Sequence, residues 1–128
     1  MPTTRFETTD KLQTKQYDLE DRTFNFTKDV REFARRIPRT TANIEDTKQV
    51  VRASGSVGAN YIEANESLSK KDFLMRIKIC RKEAKESRYW LRLVEAGDNS
   101  LLQKKRSDLI QEAVELTNIF GAILRKSE

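Results

Sequence analysis

Apolar residues recur along this chain at helical intervals, in four stretches separated by short polar breaks. Phe26, Val30, Phe33 and Ile37 follow one another at spacings of four, three and four, which places them on one face of a helix over about Asp21 to Ile37. Acids lead that stretch, Arg35 and Arg36 close it, and Pro38 stops it. A second helix is predicted from about Asn43 to Ser67, capped by Thr41 or Asn43, with the seam Thr47, Val50, Ser54, Val57, Tyr61, Ala64 and Leu68. Its middle is small (Ala53, Ser54, Gly55, Ser56, Gly58, Ala59), and two glycines in a helix interior imply either close approach of a neighbouring helix or a break.

The third helix is predicted from about Lys70 to Ala96, with Ser69 and Asp72 at its start and Gly97 beyond its end. The fourth runs from about Ser100 to Lys126, behind Asn99 or Ser100 as cap, with the seam Leu102, Leu109, Ala113, Leu116, Phe120 and Ile123. Short breaks make sequential helices antiparallel neighbours. The expected fold is therefore all-α, an antiparallel up-down-up-down four-helix bundle over residues 17–128. Residues 1–16 are polar, Thr-rich and without periodicity, which predicts a flexible N-terminal arm or a short extended segment.

Charge singles out the third helix. The chain carries a formal net charge of +5, and residues 69–96 hold nine basic against four acidic side chains, an excess equal to the whole. At about 100° per residue, Phe73, Ile77, Cys80, Ala84, Leu91 and Val94 form the core face. Lys78, Arg81, Lys85, Arg88 and Arg92 fall in a separate sector roughly 80° wide and run some 20 Å along the axis without an intervening acid. Such a stripe attracts phosphates with strong salt dependence and little sequence preference. It is equally suited to pairing with acids of another helix or subunit. Met75, Ile79, Trp90 and Leu93 make a second apolar edge, which points to subunit contact unless a wide core takes these residues in. Arg52, Asn60 and Glu63 share a side of the second helix. They line a functional surface, or they hydrogen-bond across helices or subunits to groups such as Glu83 and Glu86.

Composition narrows the chemistry. There is no histidine and one cysteine, which removes His-dependent triads, an internal disulfide and a Cys-based zinc site. Glu83 and Glu86 stand three apart, yet a bundle di-iron site of the usual kind needs Glu-x-x-His pairs. The expectation is a protein that is not an enzyme, with no catalytic residues, no cofactor and no metal. No apolar run is long enough to cross a membrane and no secretion signal is visible at the start, so no membrane partner and a cytoplasmic location are expected. Cys80, on the core face, is expected to be an inert buried thiol.

The stretch Gln49-Val50-Val51-Arg52-Ala53-Ser54-Gly55-Ser56-Val57-Gly58-Ala59-Asn60-Tyr61-Ile62-Glu63-Ala64 resembles the second-helix motif of the bacterial four-helix-bundle family, also called the 23S rRNA intervening-sequence protein family. Ser69-Lys70-Lys71-Asp72-Phe73 and Lys82-Glu83-Ala84-Lys85-Glu86-Ser87-Arg88-Tyr89-Trp90-Leu91 resemble its third-helix motif, in the same order and at the same separation. The resemblance covers about residues 20–124. Asn60-Tyr61-Ile62-Glu63-Ala64 stands where another branch reads Asn-Ile-Ala-Glu-Gly, which suggests a sub-branch. The resemblance implies antiparallel four-helix bundles that associate into homopentameric, barrel-like rings. It also implies relatives encoded within ribosomal RNA gene insertions, or acting as accessory proteins of diversity-generating retroelements that bind nucleic acid and a reverse transcriptase. It supplies no active site.

Two functions follow. One is a homo-oligomeric, pentameric protein that binds RNA or DNA through the third-helix stripe, with a reverse transcriptase as partner only where one is encoded nearby. The other is a scaffold that recruits a protein without binding nucleic acid.

Overall fold

The computed structural model describes residues 11–127, with side chains from residue 19 onward. The four helices are α1 (Lys11–Arg36), α2 (Thr41–Asn65), α3 (Lys70–Leu93) and α4 (Ser100–Ser127). Among the described residues there is no strand.

Contacts along each seam set the direction of the helices. Thr27 Oγ1 donates to the Ser54 carbonyl, while Glu20 accepts from Asn65. Cys80 Sγ donates to the Val57 carbonyl, while Arg76 donates to Asn60. Arg22 reaches Glu112, and Lys105 lies opposite Asp29. Arg106 reaches the last turn of α3, whereas Gly121 lies beside Arg81. Each helix therefore runs antiparallel to its neighbour, and the bundle is up-down-up-down. Its core holds Phe26, Phe33, Val50, Val57, Ile77, Leu91, Leu116 and Phe120, all essentially without solvent contact. Each such side chain contributes about 1.5–3 kcal/mol on burial.

Several boundaries differ from the sequence expectation. α1 begins at Lys11, well ahead of Asp21, so residues 11–16 of the expected arm are helical. That stretch contains no Gly or Pro and is rich in Lys, Gln and Leu, which favour helix. Residues 1–10 of the arm, and residue 128, lie outside the described residues. α2 ends at Asn65, so Leu68 leaves the seam and is 99% exposed. Thr40 caps α2, its hydroxyl accepting from the Asn43 N–H, in place of Thr41 or Asn43. α3 ends at Leu93 because Val94 turns extended. Ser69 caps α3 through the Asp72 N–H, and Asn99 caps α4 through the N–H groups of Leu101 and Leu102.

The helix passes unbroken through Gly55 and Gly58. Close approach explains one of them: a Cβ on Gly58 would lie 3.1 Å from Thr23 Oγ1 of α1. At the far end the α1–α2 and α3–α4 turns meet. Gly97 has φ 73°, a left-handed conformation that favours glycine, and a Cβ there would be 3.2 Å from Pro38 Cγ. Buried Asn43 ties the same two turns, donating to the Pro38 and Glu95 carbonyls and accepting from the Glu95 N–H. α1 and α4 close least tightly. A groove of about 1240 Å³ runs between them, floored by Leu19, Phe26, Leu109, Ile119 and Ile123.

Candidate nucleic-acid interface

Lys78, Arg81, Lys85, Arg88 and Arg92 are all exposed on α3. Among the described residues none of the five joins an ion pair. The core face opposite behaves as the periodicity predicts: Ile77, Cys80, Ala84 and Leu91 are buried, and Phe73 packs against the core from its edge. Burial raises the Cys80 thiol to about 12, which keeps it protonated and inert.

α4 extends this surface, which the sequence alone did not suggest. Ser107, Gln111, Val114, Asn118, Gly121 and Arg125 are spaced at four and three residues, on the side of α4 that carries Gly121 against Arg81. No carboxylate interrupts them. The three acids of α4 lie on its other flank. Glu112 and Glu115 hold Arg22 of α1 at 2.7 Å, and Asp108 pairs with Lys104. The Glu112 hydrogen bond leads in raising the Arg22 guanidinium above its ordinary range. Hydrogen bonds from Gln111 and then Arg22 hold the Glu115 carboxyl below its ordinary range. Arg106 is spent differently: Nε donates to the Leu91 and Val94 carbonyls and Nη2 to that of Arg92. It thereby satisfies the end of α3 and leaves its positive charge beside the stripe. α4 is thus sided, with acids toward α1 and none toward α3.

The polar motif residues separate into two groups. Arg52 bridges to Glu83 at 3.3 Å and to Glu86 at 3.1 Å. The Glu83 hydrogen bond leads in raising the Arg52 guanidinium above its ordinary range. Glu83 is buried at 7% exposure, so this bridge supplies the partner that its carboxylate requires. Asn60 joins instead to Arg76, whose Nη1 donates to Oδ1 at 2.9 Å, and to Ser56. Glu63 does not enter either group. Its side chain is exposed, and Arg76 donates to Asn60 instead.

The second apolar edge is uneven. Met75 and Leu93 are 47% and 48% exposed, whereas Ile79 and Trp90 are half-buried, Trp90 packing against the core. Tyr89, 56% exposed, meets Trp90 edge-on with ring centroids 5.0 Å apart. Among the described residues no three Asp, Glu, Cys or His side chains are gathered as metal ligands, and no helix is long and apolar enough to cross a membrane.

Among solved structures, the bundle is similar to a crystal structure from Bacteroides thetaiotaomicron, described as a protein with unknown function from the S23 ribosomal protein family. The TM-score is 0.71 at 24% identity, covering 82% of this chain and 96% of that one. No curated protein matches the chain. The family model described as 23S rRNA-intervening sequence protein matches residues 15–122, nearly the whole bundle. The chain belongs to the 23S rRNA-intervening sequence protein family.

Proposed function

We propose that the protein is a non-catalytic, self-associating protein that binds nucleic acid through the α3 stripe, acting as an accessory factor in an RNA- or retroelement-related process. The observation that carries this reading is the set of five exposed α3 cations that, among the described residues, pair with no acid, bordered by an acid-free flank of α4. Cations left without protein partners hold condensed anions, and a nucleic acid that displaces those ions gains entropy in proportion to its contacts. Self-association through Met75, Ile79, Trp90 and Leu93 would repeat the stripe around a ring, a pentamer as the family resemblance implies. It would convert weak single-subunit contacts into avidity. The protein then needs no catalytic group, cofactor or metal of its own.

Titration of RNA and DNA oligonucleotides across a salt series tests this. The double variant Lys85→Glu, Arg88→Glu is expected to bind at least about tenfold more weakly and to lose about two from the slope of log K against log salt. Unchanged affinity and slope in that variant would remove the stripe as the binding surface. Capture of a defined protein, with no nucleic-acid binding at low salt, would favour the scaffold reading.

A further inference from the structure

Arg81 of α3 and Arg125 of α4 converge on Gly121. A Cβ built on Gly121 would lie 3.5 Å from Arg125 Nη1 and 3.8 Å from Arg81 Nε. Both nitrogens are thus within 4 Å of one point, and Gly121 is buried beneath them. Other arginines that reach across helices in this bundle have acceptors. Arg22 has Glu112 and Glu115, Arg52 has Glu83 and Glu86, Arg76 has the Asn60 carbonyl, and Arg106 has three backbone carbonyls. Among the described residues, Arg81 and Arg125 donate to no acceptor and join no ion pair.

We propose that Arg81 and Arg125 form a two-helix clamp for one phosphate of a nucleic-acid backbone, with Gly121 as its floor. Two like charges placed side by side repel, and an anion between them reverses the sign of the interaction. A phosphate offers several acceptor oxygens, so each guanidinium can donate to it through a fork of N–H groups, geometry that lysine cannot reproduce. Lys78 and Lys85 stand three and four residues to either side of Arg81 on the same stripe, in position to meet neighbouring phosphates of one strand. This clamp rests on the nucleic-acid reading above and adds α4 to it.

The test is fluorescence anisotropy with a labelled single-stranded RNA of about 20 nucleotides across a salt series. Arg81→Gln and Arg125→Gln are each expected to weaken binding about five- to tenfold and to lower the salt slope by about 0.7. Because one phosphate is shared, the double variant should lose little more than either single one. Gly121→Ala should bind as the parent does, since its added carbon makes only ordinary contacts. Gly121→Glu should match the double variant, its carboxylate occupying the clamp. Lys104→Gln, which breaks a pair on the acidic flank, should leave both readouts unchanged. Helicity by circular dichroism checks that every variant is folded.

If Arg125→Gln keeps full affinity and slope while the Lys85→Glu, Arg88→Glu variant loses both, the clamp is overturned and the α3 reading stands. If the parent protein does not bind the RNA at low salt, both fall. Displacement of RNA by about 10 mM inorganic phosphate at constant ionic strength, abolished by Arg125→Gln, would assign the pair to free phosphate and overturn the proposal.

Discussion

Asn43 is a buried polar side chain whose hydrogen bonds join two turns that are distant in sequence. It satisfies the Pro38 and Glu95 carbonyls and the Glu95 N–H. Asn43→Ala removes all three bonds and strands backbone groups near the core. The expected cost is about 3 kcal/mol, seen as a fall in Tm of about 10 °C in calorimetry. At the sequence level this residue suggests a helix cap, because Asn near a helix start does so often. Thr40 takes that role, and nothing local to Asn43 announces a partner at Glu95. Arg52 is the converse case. Acids at Glu83 and Glu86, on a helix expected to pack beside it, make its bridge legible before any coordinates. Glu63 shares a side with Arg52 by helical spacing but finds no such group, because one shared side of a helix covers several turns.

At the scale of the helix, the two central glycines of α2 have different reasons to be small. A Cβ at Gly58 would press on Thr23, whose hydroxyl is held by the Glu20 carbonyl, so the neighbour has little freedom to yield. A Cβ at Gly55 would meet only Thr27 Cγ2, at 4.0 Å. Gly55→Ala is therefore expected to stabilise the protein by about 0.5–1 kcal/mol, and Gly58→Ala to destabilise it by about 1 kcal/mol despite the same gain in helix propensity. Urea denaturation of the two variants would separate them. The seam Val50, Ser54, Val57, Tyr61 and Ala64 is readable from its period, because burial repeats with the turn of the helix. Leu68 extends the period in the sequence but not in space. α2 has ended at Asn65, and past a helix end the spacing no longer fixes a direction. The contribution of α4 to the candidate interface was hidden for a related reason. Gly121 and Arg125 become neighbours of Arg81 only through the register of two packed helices, which no single-helix wheel contains.

For the whole molecule, the proposed assembly makes its own prediction. The subunit mass is 14.9 kDa, and light scattering should return a multiple of it, five for a pentamer. Met75→Glu with Leu93→Glu should reduce that multiple to one, since two acids on an apolar contact would have to lose their hydration. An unchanged mass would move the contact elsewhere on the surface. The sidedness of α4 has a further consequence for the free protein. The α4 acids facing α1 are each paired with a cation, whereas among the described residues the α3 stripe pairs with no acid, so uncompensated positive charge lies along the α3 side of the bundle. A molecule so polarised turns as it nears any anionic wall, presenting the same broadside each time, before a single specific contact has formed.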